Sequence, residues 1–348
     1  MADGIRLRRE GRAGRVTLAR PDALNALTWD MCLALERALG DWAADDAVRL
    51  LLIDGEGDRA FCAGGDLQAL HEHGVAGDHD YGRRFWRDEY RLNAKLFRFP
   101  KPVVTFLHGF VMGGGVGVGC HGSHRIVRDD SRVAMPECSI GLVPDVGGSL
   151  LLARAPGRLG ERLALTAHRM GPGDAIHAGF ADLYVPEGWD ALKAALCETG
   201  EPEAVDRAAL PPPPSPLEAD AAFTARHFAG ETLGDVVRSL RAEGGEAAHA
   251  ALEAIGRCSP LSAACALAIV RRARAFDAIE PALEMEYRFT ARATERGDFL
   301  EGIRAAIIDR DRSPRWRHAG PEAVTTMEVS RMLMPLGNDA LGLKAPAA

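Results

Sequence analysis

The sequence predicts an α/β layered fold, and three observations carry that reading. Short apolar runs at 48–53 and 102–107 have the length of strands buried on both faces. Ahead of the first, Met31, Leu35, Ala38, Leu39 and Trp42 recur at helical spacing, and between the two 83–97 reads as another helix. Glycine-rich turns, Ala63-Gly64-Gly65-Asp66 and Gly113-Gly114-Gly115, stand where strand gives way to helix.

Taken in order, 5–10 and 15–18 predict a β-hairpin around the turn 11–14. Thr28 is placed to cap the helix that runs to Trp42, and 48–53 follows as a strand. A strand end at 60–62 turns through Gly64 and Gly65 into a helix with Asp66 in its first turn, where an acid suits the helix dipole. A polar, histidine-containing excursion at 70–80 leads to the helix 83–97. Strands follow at 102–107 and 125–127, short helices at 158–167 and 173–178, and a strand at 181–185. Pro211–Pro214 with Pro216 then predicts an extended linker. Beyond it the pattern is helical, with Ser259-Pro260 as a cap and Asp298 with Glu301 as a capping box. The expected organisation is a core over 1–205, a linker over 206–216, a helical region over 217–318 and a tail over 319–348.

At 348 residues, with 47% hydrophobic and 26% charged residues, the chain has an ordinary globular balance and can bury a large core. Its net charge of −7 gives no basic footprint, which argues against nucleic acid as a partner. The start MADGIRLRREG has no apolar core, and no apolar run approaches the roughly 20 residues of a membrane span. A cytoplasmic protein with no membrane partner is the expectation. Seven cysteines, odd in number and without C-x-x-C, read as small core residues rather than a disulfide framework or zinc site.

The stretch 108–148 organises the chain. Adjacent glycines allow a ligand to approach backbone N–H groups closely, so the amides of Gly65 and Gly114 are candidates to stabilise an oxyanion. Glu137 and Asp145 lie among Ile140, Leu142, Val143 and Val146, surroundings that poise a carboxylate for proton transfer. Amide donors and paired carboxylates together point to acyl chemistry. Blander readings compete: a helix packed tightly on a strand for the glycines, a turn residue for Asp145, a solvated helix face for Glu89. Gly117, Gly119 and Gly122 satisfy G-x-G-x-x-G, yet the preceding strand ends near Leu107, too early for a dinucleotide fingerprint. His71 with His73 and His121 with His124 lack a carboxylate to complete a metal site. Ser123 and Ser149 stand outside any G-x-S-x-G elbow.

The segments AFCAGGDL at 60–67, KPVVTFLHGFVMGGGVG at 101–117 and AMPECSIGLVPDVGG at 134–148 resemble the crotonase (enoyl-CoA hydratase/isomerase) superfamily. EYRLN at 89–93, SPLS at 259–262, MEYR at 285–288 and DFLEGIRAAIIDRD at 298–311 extend the resemblance and point to its 3-hydroxyisobutyryl-CoA hydrolase branch. It implies a crotonase-like spiral of ββα units (the ClpP/crotonase class) with a helical C-terminal region. It also implies an acyl-CoA substrate whose thioester oxygen lies between the N–H groups of Gly65 and Gly114. By position Glu137 falls on the family's catalytic glutamate, Asp145 on the aspartate typical of the branch, and Glu89 and Gly114 on substrate contacts. No metal or further cofactor is implied, coenzyme A being part of the substrate; trimers or hexamers are common in the superfamily. Hydratases carry another glutamate at the position of Gly117, and commonly glycine at that of Asp145. The exchange favours thioester hydrolysis, with a short-chain enoyl-CoA hydratase or isomerase as the alternative, and leaves Glu137 open as general base or nucleophile.

Overall fold

The computed structural model describes residues 2–344. They divide into two interleaved units: one runs to Gly65 and continues with Asp88–Ala134 and Arg169–Glu218, the other takes Asp66–Arg87, Met135–His168 and the chain from Ala219 onward.

Among the described residues, the strands all lie in the first unit. In chain order these are β1 (Ile5–Glu10), β2 (Ala13–Leu18), β3 (Leu50–Gly55), β4 (Ala60–Cys62), β5 (Val103–Leu107), β6 (Phe110–Met112), β7 (His124–Val127), β8 (Arg132–Ala134) and β9 (Leu183–Tyr184). Six form one sheet in the order β1-β2-β3-β5-β7-β9, and the other three form a second in the order β4-β6-β8. Among the strand pairs of the described residues, β1–β2 is antiparallel and the others are parallel. The chain steps from the large sheet into the small one at β3–β4, β5–β6 and β7–β8, so the expected ββα repeat is present. Val103–Leu107 is buried at every residue, as a parallel strand covered on both faces must be. Leu50, Leu52, Val104, Phe106 and Ile126 pack there against Trp189, Leu192 and Leu196.

The helix α1 (Trp29–Ala44) starts where the sequence places it: Thr28 Oγ1 accepts from the Met31 N–H at 3.2 Å. Thr28→Ala is expected to lower stability by about 1 kcal/mol, read from the urea midpoint. The proline run is packed: a Cβ on Gly173 would sit 2.3 Å from the Pro213 carbonyl, and Asp174 accepts from Ser215 Oγ at 2.6 Å and the Leu217 N–H at 3.0 Å.

The second unit is helical and departs from the sequence reading in three places. The excursion at 70–80 is mostly helix: α2 (Leu67–Val75) fills it, and α3 (His79–Phe97) begins four residues earlier than expected. Asp78 supplies the missed start signal, its Oδ1 accepting from the Tyr81 N–H at 3.2 Å. Asp298 precedes the helix Phe299–Ile303 without capping it. Its carboxylate instead accepts from Ser259 Oγ at 2.6 Å, while Glu301 pairs with Arg304 at 2.8 Å. The tail, for which no element was expected, contains the helix Thr326–Met332, opened by a reciprocal Thr325–Glu328 capping box. No single helix among the described residues is long and apolar enough to cross a membrane.

Candidate active site

In the first unit, β4 and β6 are parallel neighbours, so the turns that leave their C-terminal ends lie side by side. Gly64 (φ +122°) and Gly113 (φ +50°) make those turns in conformations that L side chains rarely adopt. The short helix α4 (Gly114–Gly119) begins at once, and as its first residue Gly114 has an N–H with no carbonyl one turn earlier to bind. A Cβ on Gly114 would lie 3.4 Å from the Gly64 carbonyl carbon and 3.1 Å from Glu89 Oε1. The structure therefore brings together three predicted site residues, with Gly65 next to Gly64 and Glu89 buried on α3.

Gly115 explains why the turn needs a third glycine. Its Cβ would stand 2.2 Å from the Cys62 carbonyl, inside the backbone of β4. Gly115→Ala is expected to cost about 1–3 kcal/mol or more, because the strand cannot yield. Gly114→Ala meets its tightest contacts at side-chain ends, Glu89 Oε1 and Leu27 Cδ1 at 3.3 Å, with the Gly64 backbone at ordinary contact distance, and is expected to keep most of its stability. Thermal unfolding of the two variants side by side checks the contrast. Gly117 is buried inside α4.

In the second unit, Glu137 opens a 3₁₀ turn, Glu137–Ile140, directly after Pro136, and is buried at 4% exposure. Asp145, equally buried, lies in the following loop. The turn is clamped by segments far away in sequence. The Ser259 N–H donates to the Cys138 carbonyl at 2.8 Å, and Ser259 Oγ donates to Asp298. Gly302 lies so close that a Cβ there would be 2.1 Å from the Ile140 carbonyl. Gly141 (φ +77°) ends the turn against the Asp298 backbone.

After Asp145 the backbone is strained: Val146, β-branched and 1% exposed, sits at φ +52°. A residue held there costs about 1–3 kcal/mol unless its surroundings enforce it. Glu286 does so. Its carboxylate accepts from the Gly147 N–H at 2.9 Å, the Ser149 N–H at 3.0 Å and the Ser149 hydroxyl. Complete burial pushes its acid up to about 8 against those donors, and the charge of Asp145 adds to the rise. Glu286 lies within the segment MEYR, and its role is not among the expectations from sequence. A signal was present: Ile279, Ala282, Leu283, Phe289 and Ala293 form the buried stripe of the helix Ile279–Arg296, and Glu286 is an ionisable side chain set into that stripe.

The rejected candidates have ordinary partners. His73 pairs with Asp78 at 2.9 Å and stacks on Tyr81, and His124 faces Ser123 at 2.9 Å. All seven cysteines are buried and unpaired by disulfides.

With this geometry in place, a family model described as enoyl-CoA hydratase/isomerase matches residues 13–333. The chain belongs to the enoyl-CoA hydratase/isomerase family. Among family relatives, the Gallus gallus protein named 3-hydroxyisobutyryl-CoA hydrolase, mitochondrial, is 35% identical, the match covering 98% of this chain and 91% of that one. The Homo sapiens protein of the same name is 34% identical over the same shares. A solved structure described as an enoyl-CoA hydratase from Rhodobacter sphaeroides 2.4.1 superposes with a TM-score of 0.93 at 53% identity, covering 98% of this chain and 100% of that one. One described as a carnitinyl-CoA dehydratase from Mycobacterium thermoresistibile gives 0.92 at 41%, covering 96% and 97%. The crotonase-like fold expected from the motifs is thus that of the family.

Proposed function

We propose that the chain hydrolyses the thioester of a short 3-hydroxyacyl-CoA, with 3-hydroxyisobutyryl-CoA, an intermediate of valine breakdown, the foremost substrate. The observation that carries this reading is the pair of differences from a hydratase: glycine at 117, packed inside α4 where a second glutamate would be needed, and a buried Asp145. The names of relatives about 35% identical over nearly the whole chain support the same assignment.

In this reading the thioester carbonyl accepts from the Gly65 and Gly114 amides as it becomes an oxyanion. Loss of one such donor raises a barrier by about 2.7–4 kcal/mol. Glu137 takes a proton from water as its oxygen attacks the carbonyl carbon. The tetrahedral intermediate then collapses, breaking the C–S bond, and the departing thiolate takes up the proton. Nucleophilic attack by Glu137, through a transient anhydride, is the other route open to the same carboxylate. Asp145 holds the substrate hydroxyl or the water, and Glu89 contacts the acyl end. The proposed chemistry calls for no metal or further cofactor, coenzyme A being part of the substrate.

A second reading, hydration of a short enoyl-CoA, is favoured by the 53% identical structure described as a hydratase. A free-thiol assay over 3-hydroxyisobutyryl-, 3-hydroxypropionyl- and crotonyl-CoA separates the two. Thiol release from the hydroxyacyl thioesters is the expected result. Loss of crotonyl absorbance without thiol release would establish the hydratase instead.

A further inference from the structure

On the helix Ile279–Arg296, Arg288, Arg292 and Arg296 succeed one another four residues apart, which aligns them along one face. Arg292 Nη1 donates to the carbonyls of Arg288, Met332 and Met334 at 2.8, 3.0 and 2.8 Å, and Arg288 Nη1 to that of Leu333 at 3.5 Å. These acceptors are neutral. Among the described residues no carboxylate pairs with Arg288, Arg292 or Arg331. Burial, together with the charges of Arg296, Arg288 and Arg83, holds the Arg292 guanidinium below its ordinary range.

This excess of positive charge faces a cavity of about 540 Å³ bordered by Arg292, Arg296, Arg317, Arg331 and His318. Leu261, Met332 and Met334 supply its apolar wall, and Glu328 is the one carboxylate in the lining. Glu328 is already committed to His318 at 3.0 Å and to the Thr325 cap. The other nearby acids are shared: Glu295 pairs with Arg83 at 3.0 Å and more loosely with Arg296 at 3.7 Å, and Asp298 with Ser259 and Arg317. Guanidinium groups thus outnumber the carboxylates that face them, and their planar forks match phosphate oxygens.

We propose that this cavity binds a phosphorylated small molecule, its phosphate between Arg292, Arg296 and Arg331 and its body against Leu261 and the two methionines. The phosphate has two sources to separate, the phosphorylated end of coenzyme A or a free phosphorylated effector. Because binding is read without turnover, the test stands apart from the acyl chemistry.

Isothermal titration at low ionic strength with inorganic pyrophosphate, then with adenosine 3′,5′-bisphosphate, is the measurement. Saturable binding that weakens as salt is raised is expected. Arg292 also ties the 332–334 segment to the helix, so Arg292→Lys, which keeps its charge, accompanies the exposed double variant Arg296→Gln/Arg331→Gln. The double variant is expected to bind at least about tenfold more weakly with an unchanged thermal midpoint. Equal affinity in wild type and the folded double variant, or no saturable binding by the wild type, would overturn the proposal. Where binding is present, displacement of the bisphosphate by coenzyme A assigns the site to the substrate's end, and simultaneous binding assigns it to a separate effector.

Discussion

Glu137→Gln is expected to abolish release of free coenzyme A while leaving thioester binding within a few-fold of wild type. The amide has nearly the size and shape of the carboxylate, so the 3₁₀ turn, held by Ser259 at Cys138 and by Gly302 at Ile140, has no cause to move. What is lost is chemical: an amide neither takes a proton from water nor attacks a thioester. General-base catalysis is worth about 10²- to 10⁴-fold, so kcat is expected to fall by at least that factor while KM holds. A single turnover in ¹⁸O-labelled water then separates the two routes, since an anhydride intermediate can leave label in the Glu137 carboxylate. Wild-type kcat in the folded variant would remove Glu137 from the reaction.

The second large effect is expected at Glu286. In Glu286→Gln one oxygen becomes an NH₂ group, which cannot accept from the Gly147 or Ser149 N–H and sets donor against donor. A buried donor left without its acceptor costs about 1–3 kcal/mol, and the strained Val146 backbone loses its restraint at the same time. The pH dependence distinguishes this role from simple packing. The acid of Glu286 lies at about 8 in the folded chain, above the ordinary 4.5. Between those values the folded state binds a proton that the unfolded state has released. The associated stability is therefore complete below about 4.5 and is lost as pH rises through 8. Urea midpoints at pH 6 and pH 9 should fall more steeply for wild type than for Glu286→Gln. Parallel pH profiles would show that Glu286 does not titrate as its burial requires. In activity, the loosened Asp145 loop is expected to raise KM for hydroxyacyl thioesters more than it lowers kcat.

Much of the molecule was legible from local pattern alone. The hairpin, the apolar strands, the Thr28 cap and the Ser259-Pro260 start all depend on interactions within a few residues, which composition and spacing record directly. The misread places have two different causes. Asp298 has the spelling of a helix cap, but its carboxylate is taken by Ser259 from 39 residues away. The excursion at 70–80 reads as a polar loop because its histidines mask the helix Leu67–Val75, and the next helix starts on a single local signal, Asp78.

The sequence by itself determined the ββα architecture, the family, and which glycines and carboxylates are candidates for the chemistry, since each of these is spelled in contiguous segments. Only the tertiary structure decided what holds those groups in place. Glu286 reaches Ser149 across 137 positions, and Gly302 rests on the Ile140 backbone. The physical reason is the range of the forces involved. Periodicity and capping act along the chain, whereas a buried carboxylate or a missing Cβ gains its meaning from whichever distant backbone is packed against it.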